Sequence, residues 1–351
     1  MKRAIILSVF LLTVSLACRA AQRIVAPATP TAEPTFTASP SPAPTSTATA
    51  TSMPLPPPTP EPISCNNDGC LQACLDRIEQ VLSTQEFSPL SEVYAESKAR
   101  FNLVSYQVDG DKLGAMDVLW APEAYKVYQE DSAAQARIWD YLVAILPTDQ
   151  RKWISDFLIF TDGPKNILAY VRRSNDPRKW TLGADILDSS KPIYLTETLM
   201  HEFGHLLTLN TDQLVISDTY IYNGQQGLKS CPTFALPDGC ATPDSYINLF
   251  YQRFWPKIYK EWFTNVDQAS YGEFNWDLVT AFYRRYSDQF ISEYAASQPG
   301  EDIAESFAYF ILNPKPSGKS IADQKVKFFY DFPELVALRQ YAIQGMCSYS
   351  K

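Results

Sequence analysis

The order of predicted elements indicates an α+β fold, with a small mixed sheet and a motif-bearing helix followed by a mostly helical lobe. The chain has 351 residues, 46% hydrophobic and 20% charged, which is enough for one large domain or two small ones. Strand-like runs occur before residue 190, and helical periodicity dominates after it. Strands confined to the first half, together with some helices, and helices alone afterwards are typical of α+β proteins.

The N-terminus has the features of an export signal. Two basic residues precede an apolar run at residues 4–17, which is too short to span a bilayer as a mature helix. The run ends in Ser15-Leu16-Ala17-Cys18, which resembles a bacterial lipobox, although an aliphatic residue is usual at the Ser15 position. We therefore expect a signal peptide at residues 1–18 with lipidation of Cys18. Ordinary cleavage nearby, which would release a secreted protein, is the alternative.

Residues 19–63 are dominated by Pro, Thr, Ser and Ala, with Glu33 as the only charge between Ile24 and Pro60. Such a segment cannot bury a core, and its prolines favour extended polyproline II structure. We expect a disordered stalk that holds a folded domain, residues 64–351, away from the membrane. Within this domain we expect an α/β part at 64–210 and a helical part at 211–351.

The first half of the domain alternates helices with strands. Helical spacing of apolar residues predicts a helix that begins near Gly69 and another at residues 133–146. Alternation of apolar and polar residues predicts a strand at 101–108. Three further strand-like runs, separated by turn sequences, follow at 154–160, 167–172 and 180–187.

The second half of the domain is predominantly helical. A helix opens at Lys191-Pro192 and ends near Asn210. Apolar periodicity predicts the remaining helices at residues 246–263, 276–296, 301–312 and 334–344.

Seven cysteines are compatible with an exported, disulfide-bonded domain, because lipidation of Cys18 leaves an even number. Cys231 and Cys240 flank a short loop with Pro and Gly and form the simplest pair. Cys70 and Cys74 lie one turn apart on a predicted helix. We therefore expect each of them to bond to a cysteine outside this helix, one of them to Cys347. The full pairing stays open among these six residues: Cys65, Cys70, Cys74, Cys231, Cys240 and Cys347. No paired C-x-x-C spacing supports the alternative of a cysteine metal site.

An H-E-x-x-H motif, His201-Glu202-Phe203-Gly204-His205, lies inside the helix predicted to end near Asn210. Residues at i and i+4 share a helix face, so both imidazoles can reach one metal ion, while Glu202 can hold a water molecule. These are the only two histidines in the chain; a surface helix with His–Glu salt bridges is the alternative. Gly204 costs the helix roughly 1 kcal/mol relative to Ala, which indicates close approach to a neighbouring backbone.

A catalytic zinc site needs a third protein ligand and one position for water. The chain has no third histidine, which excludes the metzincin pattern, so we expect a carboxylate. Glu301 and Glu305 stand at i and i+4 in the sequence Glu301-Asp302-Ile303-Ala304-Glu305-Ser306-Phe307. Helical spacing alone does not choose between these two carboxylates.

An H-E-x-x-H motif followed by a helical E-x-x-x-D/E resembles the gluzincin metallopeptidases. The closer resemblance is to the anthrax lethal factor catalytic domain and related small metallopeptidases, which carry HEFGH and a later E-x-x-A-E-x-F helix. It covers roughly residues 180–312 and implies a zincin-like fold with one zinc ion per chain. By this resemblance Glu301 is the third zinc ligand, and Glu305 accepts the outer N–H of a ligand histidine.

The same family places a tyrosine seven residues before the ligand glutamate, where this chain has Tyr294. The gap between His205 and Glu301 is longer than the family pattern, so we expect an insertion carrying Cys231 and Cys240 to reshape the cleft. The resemblance implies an endopeptidase in which Glu202 is the catalytic base and Tyr294 stabilises the oxyanion.

We expect a monomeric enzyme at the extracellular face of the membrane or in the medium, with protein or peptide substrates. The strand at 180–187 is the candidate for pairing with an extended substrate. Alternatives are an inactive binding module that uses the aromatic residues of 246–263, and a zinc hydrolase of a non-peptide amide. The net charge of −9 does not favour nucleic-acid binding, and the chain has neither a G-x-S-x-G elbow nor a P-loop.

Overall fold

The computed structural model describes residues 61–82, 99–163, 167–216, 230–270 and 273–350. The predicted signal peptide, Cys18 and the stalk up to residue 60 lie outside these ranges and stay predictions. Within the ranges the chain combines a small sheet with many helices, as the α+β prediction requires. None of the helices found there is both long and apolar enough to cross a bilayer.

A five-stranded mixed sheet has the strand order β2-β1-β3-β5-β4. Its strands are β1 (Phe101–Asp109), β2 (Lys112–Val118), β3 (Ile154–Thr161), β4 (Ala169–Arg173) and β5 (Trp180–Asp185). The β3–β5 pair is parallel, and the other pairs are antiparallel. We did not predict β2, which forms a hairpin with β1 through Gly110 at a φ of 62°, a left-handed conformation that favours glycine.

The interior position of β5 corrects one sequence prediction. This strand bonds to β3 on one side and to β4 on the other, and all six of its residues are buried. It therefore has no free edge with which to pair an extended substrate. Among the described strands, β2 and β4 are the outer members of the sheet.

Helices cover one face of the sheet and make up the second half of the chain. They are α1 (Asp68–Leu82), α2 (Lys126–Glu130), α3 (Ser132–Ile145), α4 (Pro192–Leu209), α5 (Tyr246–Phe254), α6 (Tyr259–Trp262), α7 (Trp276–Arg285), α8 (Pro299–Leu312), α9 (Ile321–Phe328) and α10 (Pro333–Ser348). Alternation along β3 directs Phe157 and Ile159 into the main core, while Leu158 and Phe160 pack on the opposite face of the sheet.

Two long predicted helices are shorter in the structure. The helix predicted at 246–263 ends at Phe254, because Pro256 cannot donate an amide hydrogen bond and its ring would clash with the carbonyl of residue 252 in a continuing helix. The helix predicted at 276–296 ends at Arg285, and Phe290 has extended backbone. The aromatic residues of the first segment are core rather than an open groove: Trp255 is fully buried, and the ring of Tyr251 stacks on Phe234.

A smaller three-stranded sheet, ordered β6-β8-β7, follows α4. Its strands are β6 (Leu214–Val215), β7 (Ala235–Leu236) and β8 (Gly239–Ala241). Part of the predicted insertion between the two motifs, residues 217–229, lies outside the described ranges. The effect of this insertion on the cleft stays a prediction.

Three disulfides connect the six cysteines of the domain. Cys231 bonds to Cys240 as expected, and Cys74 bonds to Cys347, which ties α1 to α10. The remaining bond joins Cys65 to Cys70. Disulfides of this kind persist in oxidising surroundings, which indicates an extracellular or similarly oxidising environment.

Candidate metal centre

Two buried helices, α4 and α8, bring the sequence motifs together. A Cβ atom at Gly204 would lie 3.0 Å from Cα of Ala304 and 3.3 Å from its carbonyl oxygen. Such distances are tighter than ordinary packing, so a side chain at position 204 would force the helices apart. This close approach explains why α4 has a glycine in its interior. It agrees with the close approach to a neighbouring backbone that we predicted from Gly204.

Three potential ligand atoms converge where these helices meet. Nε2 of His201 lies 3.0 Å from Nε2 of His205 and 3.0 Å from Oε2 of Glu301. Nε2 of His205 lies 3.4 Å from the same oxygen. All three side chains are at least 95% buried, so nearby water contributes little to their solvation.

The chemistry of this group fits a metal ion. Tetrahedral zinc with bonds of about 2.0 to 2.1 Å separates its ligand atoms by about 3.3 Å, close to the three separations observed. Apart from the ring nitrogens, Glu301 Oε2 has no hydrogen-bond partner among the described residues. If both imidazoles are neutral with their Nε2 lone pairs turned inward, a buried carboxylate oxygen facing them is unfavourable without a cation between the three groups. The three residues could therefore hold a metal ion.

The carboxyl of Glu301 keeps its negative charge at neutral pH. Burial alone would raise its pKa, but the His205 and His201 rings beside it lower the pKa below its ordinary value. Its other oxygen, Oε1, accepts a hydrogen bond of 3.2 Å from Gln298 Nε2. An ionised, oriented carboxylate next to two imidazoles is a suitable ligand for a divalent cation.

Glu305 occupies a different position from Glu301. Its Oε1 lies 2.8 Å from Nδ1 of His201, and its Oε2 accepts a hydrogen bond of 2.7 Å from Ser292 Oγ. When Nδ1 donates to Glu305, the lone pair of Nε2 faces the candidate metal position. Ser292 was not predicted, because neither motif nor spacing distinguishes it from other serines.

Glu202 and Tyr294 flank the two histidines. Glu202 is almost fully buried, and its Oε2 accepts a hydrogen bond of 2.9 Å from the backbone N–H of Val171 on β4. Tyr294 is buried in a 3₁₀ helix (Tyr294–Ser297), with its ring centroid 5.9 Å from that of His201. The contact with Val171 was not predicted, because it depends on how the outer strand lies across α4.

A buried ion pair anchors α8 behind the candidate site. The Asp302 carboxylate, next in sequence to Glu301, lies 2.6 Å from Nζ of Lys325, and both side chains are fully buried. The same carboxylate accepts a 2.8 Å hydrogen bond from Trp255 Nε1. Because truncating one member of a buried pair is costly, these contacts fix the turn of α8 that carries Glu301.

A second group of potential ligands consists of Cys70, Cys74 and Cys347. All three take part in disulfides in the structure, so they do not offer free thiolates. Metal binding by cysteine therefore has no support from this cluster.

Comparisons of the chain with protein-family models, with curated proteins and with solved structures found no match. The resemblance to gluzincins consequently depends on the motif residues alone.

Proposed function

We propose that the chain is an exported zinc endopeptidase with a zincin-like fold, related to the lethal factor type of gluzincin. The observation that carries this proposal is the convergence of the His201 and His205 Nε2 atoms with Glu301 Oε2. Two imidazoles and one carboxylate leave a coordination position for substrate or water, an arrangement typical of catalytic zinc. Glu305 then fixes the tautomer of His201.

Glu202 would move the protons of the reaction. When bound, zinc would lower the pKa of water to about 7 and polarise the scissile carbonyl. The Glu202 carboxylate would take a proton from the attacking water and deliver it to the leaving amine. The N–H of Val171 orients this carboxylate, and the Tyr294 hydroxyl would donate a hydrogen bond to the developing oxyanion.

The outer edge of β4, next to which the described residues place no further strand, is where an extended peptide would pair. β4 is an outer strand of the described sheet, and because the N–H of Val171 on its edge is bound to Glu202, an added peptide would pair with the other edge groups of β4. Peptides commonly add to such an edge as an extra strand, with main-chain hydrogen bonds that tolerate many sequences. This assignment replaces the one that the sequence analysis made for β5.

Substrates of this enzyme would be proteins or peptides outside the cell. Three disulfides fit an oxidising compartment, and lipidation of Cys18 would anchor the stalk to the outer face of the membrane. We propose a monomer that meets the membrane only through this anchor and does not bind nucleic acid.

Cleavage of a peptide library by the zinc-loaded protein tests the proposal. We expect cleavage that a chelator abolishes and that zinc restores. The Glu202→Gln variant should bind zinc but lose at least about 1000-fold in kcat, because it lacks the proton-transferring group. Zinc binding without cleavage by the wild-type protein would contradict the proposal and favour a binding module, whereas cleavage of non-peptide amides alone would favour another class of hydrolase.

A further inference from the structure

Three aromatic rings connect the solvent to the candidate metal centre. We call Phe274, Trp276 and Tyr294 the aromatic wall. The ring centroids of Phe274 and Trp276 lie 5.0 Å apart, and they lie 6.3 Å and 6.1 Å from that of Tyr294. Tyr294 in turn contacts the His201 ring. The path from the surface to the two histidines is therefore continuous and aromatic.

The two outer rings of the wall are open to solvent. Phe274 is 58% exposed and Trp276 is 36% exposed, although both are large apolar side chains. Exposed apolar residues are ordinary when scattered singly, but a contiguous group that adjoins a site indicates a binding surface. Trp120, which is 80% exposed, lies against Phe101 and thus offers a comparison from another part of the fold.

Local backbone structure holds the outer rings on the same side of the chain. Asn275 between them has an extended conformation, with φ of −127° and ψ of 104°. Residues on either side of an extended residue point in the same direction. The Asn275 side chain also caps α7 by accepting hydrogen bonds from the N–H groups of Asp277 and Leu278.

Helix α7, which begins at Trp276, packs into the core and so holds the outer rings in place. Val279 and Phe282 of α7 are buried, and the Phe282 ring packs against Trp255 and Phe290 in the core. The two outer rings are thus held by a capped, packed helix and not by their own burial, while the Tyr294 ring is buried beside them. A preformed apolar surface of this kind binds a ligand without a large ordering cost.

We infer that the aromatic wall is the subsite that binds an aromatic side chain of the substrate close to the scissile bond. This inference rests on the proposed peptidase function. Aromatic side chains gain offset-stacked or edge-to-face contacts with exposed rings, in addition to the burial that any apolar residue would gain. The wall therefore discriminates phenylalanine from leucine as well as from alanine.

The test measures binding separately from cleavage. Zinc-loaded Glu202→Gln protein is titrated calorimetrically with short serine-rich peptides in which a single Phe is moved along the sequence. We expect one register to bind about tenfold more tightly than its Ala counterpart, with Leu intermediate. Equal affinity for Phe, Leu and Ala in every register, or a preference for Arg over Phe, would overturn the inference.

Variants of the wall decide whether these rings cause the preference. Phe274→Ala and Trp276→Ala in the Glu202→Gln background should each reduce the Phe-to-Ala affinity ratio at least about threefold, with unchanged thermal stability and zinc content. Trp120→Ala is the matched control and should keep the full ratio. Retention of the ratio in both wall variants would overturn the inference. Selective binding without wild-type cleavage would instead contradict the peptidase proposal and leave the aromatic wall as a site for aromatic side chains in a peptide-binding protein.

Discussion

At the scale of single residues, His201 is held at both ring nitrogens. Nδ1 meets Glu305 at 2.8 Å, and Nε2 meets Glu301 at 3.0 Å. The two carboxylates, one turn apart on α8, thus contact the two different nitrogen atoms of the same imidazole ring. Sequence spacing shows that both glutamates share a helix face, but it contains no information on which atom of the partner helix each one reaches.

Two residues outside both motifs support the site and could not be predicted from the sequence. Ser292 supports Glu305 through a hydrogen bond, and Val171 supports Glu202 through its backbone N–H. A backbone donor has no residue-type signature, and one serine resembles any other. The ligand candidates were predictable because histidine is rare in this chain, whereas these supporting contacts follow only from the tertiary arrangement.

Asp162 provides a pH-dependent prediction at the residue scale. Burial raises its pKa to about 6, with the Ile167 N–H opposing and the Asp188 charge adding to the shift. Because the folded pKa exceeds the unfolded value, the folded state binds more protons between about pH 4 and pH 6, and the free energy of unfolding falls as pH rises through this window. The loss from this group is at most about 3 kcal/mol.

The Asp162→Asn substitution should abolish this pH-dependent loss of unfolding free energy. In urea unfolding of the metal-free protein, we expect the variant to be more stable than wild type at about pH 7 and of similar stability at about pH 4. Metal-free protein is used so that protonation of the candidate metal ligands does not affect the comparison. An identical pH dependence of the unfolding free energy in both proteins would show that ionisation of Asp162 does not destabilise the fold.

At the scale of elements, the contact between α4 and α8 sets the geometry of the centre. Gly204→Ala would place a methyl group 3.0 Å from Ala304 Cα and should separate the helices. We expect a loss of about 1 to 3 kcal/mol in unfolding free energy, which is typical of overpacking, and at least about tenfold weaker zinc binding, because Glu301 moves with α8.

A second glycine provides the control for this prediction. A Cβ atom at Gly300, in the first turn of α8, would meet nothing within 4 Å. Gly300→Ala should therefore leave zinc affinity unchanged and stabilise the helix slightly. If both alanine variants behave alike in calorimetry and zinc titration, close helix approach is not what positions the ligands.

Elements differed in how well the sequence predicted them. α4 and α8 contain long apolar stretches and are buried along most of their length, so their positions were predictable. β2 is exposed along nearly its whole length and has no alternating pattern, so nothing in its sequence distinguished it from a loop. α9 is short, and its Ser320–Asp323 capping box was the only local indication of its start.

At the scale of the whole molecule, the Cys74–Cys347 disulfide connects the two ends of the domain. It joins α1 to α10 across a sequence separation of 273, and the backbone N–H of Ile63 also donates to the carbonyl of Cys347. The export signal and the even number of remaining cysteines predicted that disulfides form. The pairing could not be predicted from the sequence, because the partners of Cys70 and Cys74 depend on how the terminal helices pack.

Loss of this disulfide should destabilise the protein strongly. The chain-entropy model gives about 5 to 6 kcal/mol for so long a loop and about 2 to 3 kcal/mol for a loop of nine residues. We therefore expect the Cys74→Ala/Cys347→Ala variant to unfold at lower denaturant than the Cys231→Ala/Cys240→Ala control, whose bond spans a separation of 9. Equal midpoints for the two variants would contradict this ranking.

Zinc affinity of the purified protein tests the central claim most directly. In a competition titration with a chelator, we expect one zinc ion per wild-type chain. Glu301→Gln should lose more than about 100-fold in affinity because a ligand is removed, and Glu305→Gln should lose about 10- to 100-fold because it only orients His201. Wild-type affinity in Glu301→Gln, or a larger loss in Glu305→Gln, would contradict the proposed metal centre.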